Sequence, residues 1–266
     1  MPSVNQNVLR RIPLVIPSLP TQRRIAAVLG ALDDAIEVNR KMNANLEEQA
    51  QALFKSWFVD FAPWGGKMPK EWKRGAAQEF YDIKIGKTPP RKEQHLFSDK
   101  KDGNVTWLSI ADMGNCGMFA FDSSEYLVPS AVADYNVCVA PKDTVLLSFK
   151  LTVGRVVIAT CDMATNEAIA HFKPLGNTPS SYTYLYLKNF NFEKLGSTSS
   201  IATAVNSKMV KSMPILMPTS ETMAEFSKII DPMCRMIAAN AAESRKLAET
   251  RDALLPKLMS GEVEVE

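Results

Sequence analysis

The sequence predicts an α+β protein: one mixed α/β domain flanked by two long helices that form an antiparallel coiled coil. Three observations predict it. The chain of 266 residues carries the same segment twice at a fixed offset of 201, so that Pro13-Leu-Val-Ile-Pro17 matches Pro214-Ile-Leu-Met-Pro218. The register then holds without a gap through Ile25/Phe226, Leu29/Ile230, Leu32/Met233, Ile36/Ile237, Asn39/Asn240, Leu46/Leu247 and Leu53/Leu254, which marks an internal repeat. Between the copies the helical periodicity vanishes and short strand-like runs appear. The expected division is 1–61 for the first arm, 62–211 for the middle domain and 212–266 for the second arm.

In the first arm the seam residues fall at 25, 29, 32, 36, 39, 43, 46, 50, 53 and 57, steps of four and three that define a coiled-coil seam. Its members are Ile25, Leu29, Leu32, Ile36, Asn39, Leu46, Leu53 and Trp57; the second arm offers Phe226, Ile230, Met233, Ile237, Asn240, Leu247, Leu254 and Leu258. Each helix is expected to begin near Thr21 or Thr222, after a proline-bounded strand whose prolines cannot continue a helix backwards. A helix of over thirty residues is a rod of roughly 50–60 Å. Both seams are polar at the centre, with Asn39 and Asn43 in one and Asn240 and Ser244 in the other. Buried amides at seam positions fix register, because a slipped pairing leaves them without partners. Since the arms lie at opposite ends of the chain, they are expected to pair antiparallel, within one chain or between two. The first arm closes on Phe54-Lys-Ser-Trp-Phe-Val-Asp-Phe61. Its aromatics beyond the seam are candidates for contact with another protein.

The clearest strands of the middle domain are Val105–Ile110, Thr144–Phe149, Arg155–Thr160 and Glu167–Phe172, with a helix over Ser181–Phe190. Long polar loops join them, and such loops are where binding residues tend to lie. One contains Gly86-Lys-Thr88, the last residues of a phosphate-binding P-loop, but Tyr81 occupies the position of its first glycine and Pro89-Pro90 forbids the helix that would hold the phosphates. Lys87, Thr88, Arg91 and Lys92 suit a nucleic-acid backbone equally well as plain solvent. A second loop places Lys150, Thr152 and Arg155 near one sheet edge, and a third, hydroxyl-rich, runs through Ser197, Thr198 and Ser199 towards Lys208. These side-chain types make phosphate and base-edge contacts.

The composition, 46% hydrophobic and 23% charged, is that of a globular protein. No apolar run of 18 residues spans a bilayer, and Met1–Asn7 lacks the apolar core of a signal peptide, so cytoplasmic residence is expected. Net charge is +2, with 62–211 holding 18 basic against 14 acidic residues. Cys116, Cys138, Cys161 and Cys234 show no C-x-x-C spacing, and with only His95 and His171 a zinc site has little support. Neither a serine elbow, a Cys–His pair nor a glycine-rich dinucleotide loop can be assembled, so a binder rather than an enzyme is expected.

Ile12-Pro-Leu-Val-Ile-Pro-Ser-Leu-Pro20, Gln22-Arg-Arg-Ile-Ala26, Leu29-Gly-Ala-Leu-Asp-Asp34 and Leu53-Phe-Lys-Ser-Trp-Phe58 resemble the conserved helical region of specificity subunits from type I restriction-modification systems. Gly86-Lys-Thr-Pro-Pro-Arg91, Thr152-Val-Gly-Arg155 and Asn166-Glu-Ala-Ile169 resemble landmarks of a target recognition domain, and Leu254–Gly261 resembles the family's distal end. The resemblance covers nearly the whole chain. In that family two target recognition domains alternate with two helical regions, each domain reading half of a bipartite DNA sequence; here one domain is expected, as in the carboxy-terminal half of a full subunit. The resemblance implies double-stranded DNA, the modification (methyltransferase) subunits and the restriction subunit as partners; a homodimer through the arms is expected as well, since two copies would rebuild the two-domain arrangement. It places S-adenosylmethionine and ATP on those partner subunits and none on this chain. A truncated subunit that pairs without reading DNA is the alternative.

Overall fold

The computed structural model describes residues 10, 16–195 and 205–264 and divides into two compact units, one of 1–43 with 239–266 and the other of 44–238. Helices α1 (Leu19–Phe58) and α7 (Ser220–Ser260) run through both, 40 and 41 residues long. They start two residues earlier than the repeat predicts. At α1 Ser18 supplies the first turn, its Oγ accepting from the Thr21 amide; at α7 Thr219 does so, its Oγ1 accepting from the Thr222 amide at 3.3 Å.

The smaller unit is an antiparallel helix pair formed within one chain. Asp33 meets Arg251 at 2.6 Å, the Asn39 amide donates to Glu243 Oε2 at 3.0 Å, and the Asn240 amide donates to Asn43 Oδ1 at 2.9 Å. Rising positions on one helix match falling positions on the other, as antiparallel pairing requires. All of Ile25, Leu29, Leu32, Ile36, Asn39, Leu247, Leu254 and Leu258 are buried or half-buried, so the seam faces its partner.

In the larger unit the inner ends of both helices join the core. Phe54 and Phe58 are 2% and 4% exposed and pack with Trp72, Tyr182 and Phe226, the Phe58 and Phe226 rings 4.8 Å apart. This corrects the expectation of an aromatic surface for another protein: only the Trp57 and Phe61 rings are even half-exposed, and Trp57 stacks edge-on against Trp64. The reason is that the coiled-coil stripe broadens where a third layer covers it.

That layer is α5 (Ser180–Asn189), one residue ahead of its predicted span. It covers a five-stranded sheet ordered β2 (Tyr81–Ile85), β11 (Ile169–Pro174), β8 (Val145–Ser148), β9 (Val156–Ala159), β5 (Phe119–Ala120). Val145, Leu147, Val156, Ile158 and Phe172 point towards the helices, whereas Leu146, Val157 and Ile169 point the other way. Uninterrupted apolar runs such as Val145-Leu-Leu follow from burial on both faces. The second face meets another five-stranded sheet, β3 (Phe97–Ser98), β6 (Tyr126–Leu127), β4 (Val105–Leu108), β10 (Met163–Thr165), β7 (Val139–Ala140), through Leu108, Met163 and Ala140. Helix α4 (Pro129–Asp134) closes the outer side over Trp107 and Leu127.

Three of the four predicted strands are present but shorter, and the fourth, predicted over Glu167–Phe172, keeps its length two residues further on as β11. Ser109 ends β4 by capping α3 (Ile110–Asn115), accepting the Asp112 amide at 3.2 Å, which is why the predicted strand to Ile110 stops early. Pro214–Met217 is a strand, β12, and pairs antiparallel with β1 (Lys73–Ala76). Its counterpart at Pro13–Pro17 falls largely outside the described residues.

Candidate nucleic-acid interface

Three loop segments meet around the turn that precedes β11. Gly86 leaves β2 with its amide on Ile169 O at 3.0 Å, and the Lys87 amide follows onto Thr165 O at 2.9 Å. A Cβ at Gly86 would lie 2.0 Å from Thr165 Oγ1 and 2.2 Å from the Asn166 carbonyl, so only glycine permits this approach. The loop therefore starts pressed against residues 165–169. Thr88 Oγ1 then donates to the Glu167 carboxylate.

From the other side comes the β8–β9 hairpin. The amide of Phe149, a fully buried residue, donates to Ala168 O at 2.9 Å, tying the hairpin to the same turn. Ser148 organises the tip: its Oγ donates to Thr152 O at 2.5 Å and accepts the Arg155 amide at 3.0 Å, while its carbonyl accepts the Gly154 amide at 2.9 Å. Lys150, Leu151, Thr152 and Val153 are left exposed beyond it.

Glu167 sits where the segments converge. The Thr88 hydroxyl foremost, with its own backbone amide and then the charges of Lys150 and Arg91, holds its carboxyl below the usual carboxylate range. The structure thus brings Thr88, Arg91 and Lys150 together about one acidic residue, with Lys87 next to Thr88 in the same loop. Two cations of the loop are already engaged. Arg91 Nη1 donates to both Glu125 oxygens at 2.8 and 2.7 Å, and its guanidinium lies 4.3 Å from the Phe97 ring centre and 4.5 Å from that of Trp107. Lys87 Nζ donates to Tyr135 O at 2.6 Å. Lys92 is exposed. A polyanion would meet a preformed basic surface whose lysine and arginine are held rather than free, and exchanging Glu125 for a phosphate would keep Arg91 paired.

Arg155 is not part of this cluster. Its Nη1 donates to Ile110 O at 2.5 Å and lies against Gly114, where a Cβ would come within 2.5 Å of it; the guanidinium lines a separate cavity of about 250 Å³ with Glu47, Tyr184 and Lys188. Lys208 is exposed on α6 (Ser207–Ser212), a helix capped by Asn206 and packed on α2 (Ala77–Phe80). Ser197, Thr198 and Ser199 lie outside the described residues. Glu167, Glu125, Phe97 and Trp107 escaped the sequence reading as site residues. The Asn166-Glu-Ala-Ile169 string signalled the turn, but nothing local marks Glu125, 34 residues beyond Arg91.

Among the described residues Cys138 lies beside His171, with Sγ 3.7 Å from Nδ1. Burial pushes the thiol up and lowers the imidazole to about 4, so both are neutral near pH 7 and no thiolate–imidazolium nucleophile forms. Among the described residues no group of three His, Cys, Asp or Glu is placed to hold a metal ion, and no helix is long and apolar enough to cross a membrane.

The family model for the type I restriction modification DNA specificity domain matches residues 1–48 and 69–249. The chain belongs to this specificity family. The specificity subunit of the Haemophilus influenzae type I restriction enzyme HindI is 25% identical over 98% of this chain and 71% of its own length. That of the Methanocaldococcus jannaschii enzyme MjaIX is also 25% identical, over all of this chain and 64% of the relative. The crystal structure of the HsdS subunit from Thermoanaerobacter tengcongensis matches with a TM-score of 0.53 at 21% identity, covering 99% of this chain and 64% of that one, and shows that the fold is shared. The chain therefore spans about two thirds of the specificity subunits it matches. Family membership agrees with the family resemblance read along the chain.

Proposed function

We propose that the chain is the non-catalytic, sequence-reading component of a type I restriction-modification assembly. Its mixed α/β domain reads one half of a bipartite target in double-stranded DNA, and its helices dock the modification subunits. Those subunits bring S-adenosylmethionine and transfer the methyl group, and a restriction subunit adds ATP-driven cleavage, all in the cytoplasm. The observation that carries the reading is the convergence of the Lys87–Arg91 loop, the Lys150–Val153 hairpin tip and the Glu167 turn on one edge of the two-sheet domain. Exposed cations and hydroxyls on rigidly anchored loops supply phosphate contacts and place base-reading groups in register. Family membership supports it.

Pairing of two copies would give two reading domains related by a two-fold axis, and hence an inverted repeat with a nonspecific spacer as the preferred site. Co-expression with a modification subunit, followed by mapping of methylated adenines, tests the proposal. Methylation confined to one bipartite sequence, lost on K87A/K150A replacement, is the expected result. Methylation at an undivided motif overturns the half-site reading, and methyl transfer by the purified chain alone overturns the non-catalytic assignment.

A further inference from the structure

The β8–β9 hairpin ends in a residue that this chain does not use. Leu151 is 95% exposed, the most exposed large apolar side chain among the described residues, and its backbone is left-handed, with φ 60°. For an L-residue that conformation is strained, and glycine or asparagine would hold it with less strain. It persists because its surroundings over-determine it: Ser148 bonds across the hairpin to Thr152, Gly154 and Arg155, Phe149 is buried behind, and Gly154 takes φ 92° against the Phe192 ring. A rigid support thus presents an isobutyl group to solvent, beside Val153 at 39% exposure and next to Lys150.

We propose that Leu151 is an apolar wedge that enters a base step of the bound duplex, a role that rests on the reading of the chain as a DNA reader. Leucine is among the side chains that part stacked bases and kink a duplex. The charge around it suits DNA rather than an apolar protein groove. Lys150 precedes it, and the Lys87–Arg91 loop lies across Glu167, so phosphates on either side of the opened step meet cations. Thr152 and Lys150 then supply polar contacts to the rim of the step. Because opening a step costs least at flexible pyrimidine–purine sequences, the wedge would add specificity at a position that no hydrogen bond reads.

The test uses the full chain in complex with the modification subunit and duplexes of the mapped target carrying 2-aminopurine at successive positions of the half-site. A fluorescence rise at one step is expected for the unchanged chain, abolished in L151A and L151G and retained in L151M. L151A should bind about tenfold more weakly. L151G relieves the left-handed strain and should melt no lower than the parent, which separates loss of the wedge from loss of the fold. K150A should weaken binding while keeping the fluorescence signature. Unstacking at no position, or equal unstacking by L151A, overturns the wedge while DNA reading stands; loss of the modification subunit from L151A with DNA binding intact overturns it in favour of a protein contact. A complex that selects no sequence at all overturns the reading of the chain as a DNA reader, and the wedge with it.

Discussion

Asn240 donates its side-chain amide to Asn43 Oδ1 at 2.9 Å, joining two helices across 197 positions of sequence. The bond lies beside the Asn39–Glu243 contact, so the middle of the helix pair is a polar layer in an otherwise apolar seam. Replacing one partner leaves the other amide half-buried without its bond, and N43L should cost about 1–3 kcal/mol in urea denaturation. N43L/N240L should recover that loss, because two packed leucines replace a polar pair of similar size. A double variant less stable than the single one would contradict the assignment of this layer to register rather than to stability.

Glycine substitutions should separate by position. G86A would drive a methyl group into the backbone carbonyl of Asn166, which cannot move without breaking the turn before β11, and should destabilise by several kcal/mol. G30A meets nothing within 4 Å and lies inside α1, where alanine should stabilise by about 1 kcal/mol. Thermal melts of the two variants should move in opposite directions.

His171 should make stability fall in mild acid. It is 2% exposed, with Nε2 at 2.7 Å from Thr165 Oγ1, and burial, with a smaller contribution from Lys84, lowers it to about 4. Between pH about 6.5 and 4 the unfolded chain binds a proton that the folded chain refuses, so stability is full above the upper limit and declines as pH drops through the window. The decline amounts to about 3 kcal/mol at most. H171Q should flatten the profile by that amount, measured by denaturation at a series of pH values, and an unchanged slope would refute it.

Two charge changes near the interface should act in opposite senses. K150A removes an exposed cation and should lower the slope of log affinity against log salt by about one, with no change in melting temperature. E125Q removes the carboxylate that neutralises Arg91 and should tighten DNA binding while steepening that slope. Anisotropy titrations over a salt series read both.

Much of the architecture was legible because it depends on period. Ile25 to Trp57 and Phe226 to Leu258 repeat every three and four residues, a spacing that only a helix pair satisfies, and their polar centres announced the Asn43–Asn240 layer. Val145–Ser148 and Val156–Ala159 were equally plain, as apolar runs too short for helices. Strands β2 and β10 passed unnoticed, since Tyr81-Asp-Ile-Lys-Ile85 and Met163-Ala-Thr165 carry little signal apart from the partners they pair with. The inward turn of Phe54 and Phe58 was hidden too, because the layer that covers them, α5, begins more than a hundred residues later.

The sequence by itself determined the duplicated helices, the polar layer at their centre, the strand-rich middle and the family, since each rests on local spacing or on motifs read along the chain. Only the tertiary structure decided which loops meet. It set Thr88 against Glu167, turned Arg91 onto Glu125, sent Arg155 away to Ile110 and left Leu151 bare at the hairpin tip. The first three directions come from contacts between residues tens of positions apart, formed as the two sheets pack, and no local pattern encodes them.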